Sequence, residues 1–186
     1  MKLAEKIAEI FPKEEQMADF LLEHTCRIAV SKNEIISRNG SHNRNVYFVE
    51  KGLMRSFYYE NGKDITTNFY IEGQIVANID TLFRNQETRY NIETLENSEI
   101  VFCDFDILEK ICGQSLLAAN FSRYILGNLM SQMAERIASL QYMTARERYH
   151  ALLKDNPDIV LRAPLGMIAS YLGISQETLS RIRSGK

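Results

Sequence analysis

The sequence predicts an α+β protein in which a jelly-roll-like antiparallel β-roll is followed by a long helix and a small unit of short helices. Residues 25–104 contain short β-rich runs separated by turn residues at regular intervals, which is typical of an antiparallel roll or barrel. After residue 104 the apolar residues recur every three to four positions, which indicates helices. This change of period assigns the roll to the first part of the chain and the helical elements to the second.

Two features justify the elements up to the end of the roll. Asn61-Gly62 separates two β-rich runs, and this dipeptide is a strong signal for a tight hairpin turn. Ahead of the roll, residues 2–24 are predicted to form two short helices that are interrupted at Pro12. The apolar residues on both sides of this proline keep helical spacing: Leu3, Ile7, Ile10, Met17, Phe20 and Leu21.

Residues 115–141 are predicted to form one long helix with two apolar faces. One face has the alternating spacing of a coiled-coil seam: Leu126, Met130, Met133, Ile137 and Leu140. The other face could cover the chain's own roll: Phe121, Tyr124, Ile125 and Leu129. We therefore expect the seam to join two copies of the chain as a homodimer. The alternative is that the helix simply lies on its own roll.

The terminal segment has the residue spacing of a helix-turn-helix. Ala169 is small enough for a close helix crossing, Gly173 supplies the turn four positions later, and Leu179 is apolar six positions further on. Ser175 is a favoured N-cap for the second helix. The remaining members of the pattern are Pro164 in the first turn and the facing apolar residues Ile168, Leu172 and Ile182. A break at Asp155-Asn156-Pro157, after a helix over about residues 143–153, is expected to set off this unit.

The second helix of this motif carries side chains suited to reading base pairs in a major groove. Glutamine can form two hydrogen bonds with adenine, and the guanidinium of arginine can donate two hydrogen bonds to guanine. Glutamate can accept a hydrogen bond from the amino group of cytosine. The residues expected to contact bases are Gln176, Glu177, Ser180 and Arg181. Ser175 and Thr178, near the start of the helix, are expected to contact phosphates. The alternatives are that Glu177 only complements the helix dipole and that Arg181 is a solvated surface residue.

The charge distribution also points to a nucleic-acid partner. The chain carries a net charge of −2, but residues 142–186 contain seven Lys and Arg against four Asp and Glu, a net of +3.

No uncharged apolar run approaches the roughly 18 residues of a membrane span, and the first residues lack the apolar stretch of a secretory signal. We therefore expect a cytoplasmic location and no membrane partner.

The segment IASYLGISQETLSRIR resembles the DNA-reading helices of the Crp–Fnr family, named after the catabolite activator and the fumarate–nitrate regulator. Residues 32–76 resemble the first half of that family's cyclic-nucleotide-binding fold, whose turns would use Gly40, Gly52, Gly62 and Gly73. The resemblance covers about residues 10–183. It implies a sensor domain over residues 1–114, a dimerisation helix over residues 115–141 and a helix-turn-helix DNA-binding domain over residues 142–186.

The resemblance implies a sequence-specific transcriptional regulator that binds double-stranded DNA as a homodimer, with RNA polymerase as a further candidate partner. The alternative function is a ligand-responsive dimerisation or partner-binding module that no longer reads DNA. An enzyme is not expected. A metal-dependent cupin-type roll needs clustered His and Glu ligands, whereas residues 25–112 contain a single histidine, His42, and the chain has no P-loop or HExxH motif.

The chain departs from the family's pattern where cyclic nucleotides bind. Family members hold the phosphate with a Gly-Glu pair and an Arg-Ser or Arg-Thr pair, whereas this chain has Ala77-Asn78 and Thr88-Arg89. Arg89 is one position late, and one step along a strand reverses the face of a side chain. We therefore expect no cyclic AMP. A pocket for another small-molecule effector could use Ala77, Asn78, Arg84, Thr88 and Arg89.

Two further expectations concern cofactors and the end of the chain. No cofactor and no metal are expected, because an iron–sulfur sensor needs four ligands and the only cysteines are Cys26, Cys103 and Cys112. A haem would need axial ligands such as His24 with Cys26, or His42.

Related proteins often continue past the second helix into a β-hairpin wing. This chain stops five residues after Arg181, so the wing is expected to be absent or minimal.

Overall fold

The computed structural model describes residues 2–10 and 22–185. The helices of this part are α1 (Leu3–Ile10), α2 (Ile79–Arg84), α3 (Phe105–Gln114), α4 (Leu116–Tyr142), α5 (Ala145–Asp155), α6 (Pro157–Arg162), α7 (Leu165–Leu172) and α8 (Gln176–Arg183). The strands are β1 (Cys26–Val30), β2 (Ile35–Ser37), β3 (Asn45–Lys51), β4 (Met54–Glu60), β5 (Lys63–Tyr70), β6 (Ile75–Val76), β7 (Asn91–Thr94) and β8 (Ser98–Asp104). The predicted helical stretch that contains Met17, Phe20 and Leu21 lies outside the described residues.

Two four-stranded antiparallel sheets form the roll, and the predicted α+β fold class is confirmed. One sheet has the strand order β1-β8-β3-β6, and the other has the order β2-β7-β4-β5. Side chains that alternate inward along these strands meet between the sheets. The core formed there contains Val30, Tyr47, Val49, Met54, Val76, Ile92 and Ile100. Strand β6 was not predicted, because two residues are too few to show an alternating pattern.

The hairpin between β4 and β5 turns at the predicted Asn61-Gly62 dipeptide. Glu60 pairs with Lys63 across the turn, and both turn residues have positive φ, 50° for Asn61 and 75° for Gly62. A two-residue turn with two positive φ angles matches the twist of its strands, and Asn-Gly adopts it at low cost. The local sequence therefore accounts for the register of this hairpin.

Helices α1, α3 and α4 cover the outer face of the first sheet. Their shared cluster contains Leu3, Ile7, Phe48, Val101, Ile111, Ala118 and Phe121. Helix α4 begins after Ser115, whose hydroxyl accepts the N–H of Ala118 at 3.2 Å, and its bounds agree within one residue with the predicted range 115–141. Beyond residue 129 its side chains are mostly exposed. The first half of α4 is therefore anchored to the roll, while the second half leaves it.

Helices α5 to α8 share a hydrophobic cluster with the outer face of the second sheet. The roll contributes Leu53, Phe69 and Leu95, and the helices contribute Tyr149, Leu152, Ile159, Val160, Ala163, Ile168, Ala169, Leu172 and Leu179. The break at Asp155-Asn156-Pro157 does not set off a separate terminal unit. Pro157 instead begins α6, which packs in the same cluster as α5 and α7.

Ser170 of α7 completes hydrogen bonds at the edge of the second sheet. Its hydroxyl accepts the N–H of Thr66 at 2.9 Å and donates to the carbonyl oxygen of Asp64 at 3.0 Å. Strand β5 is the outermost strand of its sheet, so its outward backbone groups need partners when they are covered. The ring of Tyr171 packs edge-on against Phe69 at 5.4 Å. Helix α7 is therefore attached to the roll by both polar and aromatic contacts.

Arg162, at the end of α6, connects the terminal helices to the roll through two carboxylates. Its Nη2 atom lies 2.9 Å from Oε1 of Glu72 and 2.5 Å from Oε1 of Glu96. Glu72 also accepts the N–H of Gly52 at 2.8 Å. Burial by itself raises the pKa of Glu72, but the hydrogen bonds from Arg162 and Gly52 outweigh it and lower the pKa from 4.5 to about 2. The same carboxylates raise the pKa of Arg162.

Replacing Arg162 by glutamine should lower the free energy of unfolding by about 1–2 kcal/mol, because two carboxylates lose a charged donor that is only partly screened by water. The pKa of Glu72 is lower in the folded state, so its stabilisation is present above about pH 4.5 and is lost as the pH falls towards 2. Urea unfolding between these pH values should therefore show a steeper loss in the wild type than in R162Q. R183Q, which removes an exposed arginine of α8, is the control. Equal pH dependence in wild type and R162Q would contradict this assignment.

Candidate nucleic-acid interface

Helices α7 and α8 are joined by a tight turn at Gly173. This residue has φ 68° and ψ 36°, and the following N–H, of Ile174, donates to the carbonyl oxygen of Ala169 at 3.0 Å. A left-handed residue at this place closes a helix and is usually glycine because it has no Cβ. Ser175 then caps α8, since its hydroxyl accepts the N–H of Thr178 at 3.2 Å.

The two helices cross through the apolar residues that the sequence predicts. Leu179 is fully buried and lies in the cluster with Ile168, Ala169 and Leu172, and Ile182 packs at its margin. Pro164 stands at the N-cap of α7, one position before the helix, and not inside its first turn. These contacts fix α8 across α7 and turn its other face to solvent.

The outward face of α8 presents the predicted base-reading side chains. Gln176, Glu177, Ser180 and Arg181 are all exposed. The Oε1 atom of Gln176 lies close to the backbone of Gly166 in α7. A Cβ atom at position 166 would lie only 3.0 Å from this oxygen. The helix therefore offers amide, carboxylate, hydroxyl and guanidinium groups on one accessible side.

The two residues predicted to contact phosphates already bond each other. The Oγ of Ser175 lies 3.1 Å from Oγ1 of Thr178, and Nη2 of Arg181 donates to the same Thr178 oxygen at 3.5 Å. A hydroxyl carries one proton and two acceptor positions. One hydroxyl proton is used between the pair, and the Ser175 side chain also bonds the carboxylate of Glu177, so a phosphate at the start of α8 would have to replace one of these bonds.

The carboxylate of Glu177 is kept ionised by its neighbours. A hydrogen bond from the Ser175 side chain, the backbone of the first turn and the charge of Arg181 lower its pKa. An ionised carboxylate only accepts hydrogen bonds. Glu177 is thus in the state that can accept from the amino group of a cytosine, and the lowered pKa is equally consistent with a carboxylate that simply complements the helix start.

The predicted seam on α4 is exposed over most of its length. Met130, Met133, Ile137 and Leu140 have between 48% and 71% of their surface accessible. Leu126 is half-buried and lines a cavity between α4 and the roll. Three of the four residues of the second predicted face lie toward the roll: Phe121 is buried, and Ile125 and Leu129 are partly buried. The fourth, Tyr124, is exposed to solvent.

The predicted effector residues lie in different surroundings. Asn78 is buried, and its side-chain amide donates to Oγ of Ser37 at 2.8 Å. Thr88 is buried, and its hydroxyl accepts the N–H of Tyr90 at 3.1 Å. Both side chains are therefore occupied by the protein's own groups.

The two arginines of this set face solvent. Arg89 is exposed beside the buried Thr88, as an offset of one residue along an extended chain requires. Arg84 is exposed and forms an i,i+4 ion pair with Asp80 at 3.7 Å. Ala77 lines the apolar cavity beside α4. The described structure thus places no guanidinium of this set beside Thr88 and Asn78 in the roll interior.

One contact that the sequence did not reveal links α4 to α7. The guanidinium of Arg136 stacks 4.0 Å from the ring centre of Tyr171 and donates to the carbonyl oxygen of the same residue. Arg136 sits next to Ile137 of the seam. The sequence alone indicates only a polar residue on one face of a helix. Its partner Tyr171 is 35 positions away, and no local spacing pattern connects the two.

The described residues contain no group of three or more His, Cys, Asp and Glu side chains arranged to hold a metal ion. Cys26 is exposed, Cys112 is half-buried and Cys103 is buried. Burial raises the pKa of the Cys103 and Cys112 thiols. None of the described helices combines the length and hydropathy that a membrane-spanning segment needs.

Comparison with known sequences agrees with this architecture. Residues 27–115 match the family model of the cyclic nucleotide-binding domain. The regulatory protein HlyX of Actinobacillus pleuropneumoniae is 27% identical over 82% of this chain and 68% of its own length. The anaerobic regulatory protein of Haemophilus influenzae is 23% identical over 82% and 63%, and the fumarate and nitrate reduction regulatory protein of Vibrio cholerae is 24% identical over 82% and 65%. The chain therefore spans slightly less than two thirds of these last two relatives.

Solved structures show the same fold. FixK2 from Bradyrhizobium japonicum superposes with a TM-score of 0.76 at 21% identity, over 87% of this chain and 83% of that one. A CooA mutant from Carboxydothermus hydrogenoformans superposes with a TM-score of 0.70 at 21% identity, over 89% and 78%. These two matches cover most of the chain. Residues 27–115 thus carry a cyclic nucleotide-binding domain, and the chain as a whole is similar to regulatory proteins such as HlyX and the fumarate and nitrate reduction regulator, in agreement with the resemblance to the Crp–Fnr family.

Proposed function

We propose that the protein is a homodimeric transcriptional regulator that reads a specific DNA sequence with helix α8. The observation that carries the proposal is the exposed polar face of a capped helix whose opposite face is fixed in a hydrophobic cluster. A helix held in this way can present its first turns to base edges without being reorganised on binding. The names of its relatives, anaerobic and fumarate–nitrate regulatory proteins, support the same class of function.

Each group on α8 has a base that it fits. The guanidinium of Arg181 can donate two hydrogen bonds to guanine, and the amide of Gln176 can bond adenine. The ionised carboxylate of Glu177 accepts from cytosine and repels phosphate, so it favours one register of the helix in the groove. The hydroxyls of Ser175 and Thr178, which can exchange their present partners for a phosphate, and the N-terminus of α8 suit a phosphate oxygen.

The exposed seam of α4 supports a dimer. Four large apolar side chains in a row would be left in water in a single chain, and pairing two seams removes them from water. A two-fold pair of reading helices would enter successive major grooves about 34 Å apart. The expected target is therefore a nearly palindromic site.

The sensor proposed for this regulator does not use cyclic AMP. Thr88 and Asn78 are buried and bonded to the protein, and the neighbouring Arg84 and Arg89 point to solvent. A cyclic phosphate brought into the roll would thus meet no guanidinium from this stretch. Without such a partner a buried phosphate charge is strongly disfavoured.

Replacing Arg181 by alanine should cost about 1–3 kcal/mol of binding free energy on the target and relax discrimination at one base pair. R181K keeps the charge but loses the planar fork, so it should lose the same discrimination while retaining the salt dependence of binding. The measurement is the affinity for target and single-substituted duplexes at several salt concentrations. If R181A weakens target and scrambled duplexes by the same factor, Arg181 contacts phosphate and not a base.

Placing charges on the seam should separate the dimer. The double variant M133E/I137E puts two carboxylates where the partner helix would lie, and sedimentation equilibrium should then show a monomer. The matched control is N128E, an exposed position on another face of the same helix. A dimer that persists in M133E/I137E would assign the interface to another surface.

Selection from a pool of random duplexes, without added ligand and at moderate salt, tests the proposed function as a whole. Enrichment of a two-fold symmetric site establishes a DNA reader. The competing function is a dimerisation or partner-binding module that no longer reads DNA. That module would enrich no site and would show little fall of log K with log salt, because it makes few phosphate contacts.

A further inference from the structure

An apolar cavity lies between the roll and the first half of helix α4. Its volume is about 110 Å³. Strands β3, β6 and β8 form its floor, α2 covers one side and α4 the other. Among its walls are Val46, Ile75, Ala77, Leu82, Phe121 and Leu126. Natural protein interiors rarely leave a void larger than a water molecule, so a space of this size needs an explanation.

The walls of the cavity are mainly apolar and therefore suit an apolar ligand better than a polar one. The polar groups around the cavity have partners elsewhere: Oγ1 of Thr25 donates to the carbonyl oxygen of Leu22 at 2.9 Å, and Sγ of Cys103 donates to that of Asp104 at 3.4 Å. The hydroxyl of Tyr47 receives the amide of Asn43 at 2.7 Å. A buried water needs two to four polar partners, and cavities of about 150 Å³ lined by Leu, Ile and Phe stay dry and take up benzene.

The side of the cavity next to α2 has an opening that a ligand could use. Ile79 and Phe83 of α2 line the cavity and are each about half exposed, 44% and 50%. Helix α2 is held by Arg44, whose Nη1 donates to the carbonyl oxygen of Thr81 at 2.7 Å. The ring of Phe83 packs on Phe105 at 5.1 Å. Thr81 and Leu82 anchor the inner face of this helix, whereas Ile79 and Phe83 leave the edge of the cavity accessible to solvent.

The cavity shares a residue with the proposed dimer seam. Leu126 is the first seam position and also a wall of the cavity, and Leu129 of the same helix lines it as well. A filled cavity would support these two side chains from the roll side. The helix would then be fixed at the point where it leaves the roll and the seam begins.

We propose that this cavity binds a small apolar molecule, aromatic or branched-chain and about the size of benzene. Binding in the cavity does not depend on the DNA-binding function proposed above.

The probe is benzene, added to the full chain without DNA. The midpoint of thermal unfolding should rise by about 3–5 °C at ten times the dissociation constant. Methyl NMR signals of Ile75, Ile79, Leu126 and Leu129 should shift, and those of Ile168 and Leu179 in the terminal helices should not. Cyclic AMP at the same concentration should change neither readout.

Two variants locate the site. A77L fills the cavity and should abolish the benzene-dependent rise, while A138L adds the same side chain at an exposed position of α4 and should keep it. The methyl shifts of the wild type give the answer even if A77L folds poorly. No shift at the cavity methyls, or an equal thermal response in A77L and A138L, would overturn the proposal. Binding measured without DNA stands even if the duplex selection finds no site, so the two proposals can fail separately.

Discussion

The contact between helix α7 and the edge of strand β5 determines where helix α8 lies on the roll. Ser170 satisfies both a backbone donor and a backbone acceptor of that edge, and Tyr171 packs on Phe69 beside it. Arg162 adds an ionic link to Glu72 and Glu96 of the roll. Because Leu179 lies in the same cluster, helix α8 cannot turn without breaking these contacts. The reading face therefore has one orientation relative to the roll.

Helix α4 connects the roll and helix α7 to the proposed dimer interface. Its first half is buried on the roll through Ala118 and Phe121, and Arg136 in its second half stacks on Tyr171 of α7. One rigid element thus contacts the sensor, the seam and the reading unit. A shift of α4 on the roll would move the seam, and this gives a route by which occupancy of the roll could change the separation of the two α8 helices of the proposed dimer. A ligand can use the route only if it binds one arrangement better than the other.

The interior of the roll differs from a cyclic-nucleotide site in the side chains that face it. A phosphate site needs an inward guanidinium, and here the inward side chain is the hydroxyl of Thr88, already bonded to the N–H of Tyr90. Asn78 likewise bonds Ser37 instead of a ribose. The open space has moved to the apolar side of the sheet, next to Ala77 and α4. Asn78 and Thr88 are thus paired within the protein, and the ligand-sized space is lined mainly by apolar side chains.

The sequence alone determined the roll, the Asn61-Gly62 hairpin, the long helix and the exposed face of α8, because each follows from local spacing and turn chemistry. Only the tertiary structure decided the contacts between distant segments. No local pattern indicated that Ser170 would contact Asp64 and Thr66, that Arg136 would contact Tyr171, or that Pro157 would begin a helix packed on the roll. These contacts join residues far apart in the chain, and their energies come from burial and pairing that no short window of sequence contains. For the same reason the cavity, an empty space between separately predicted elements, became visible only once the elements were packed together.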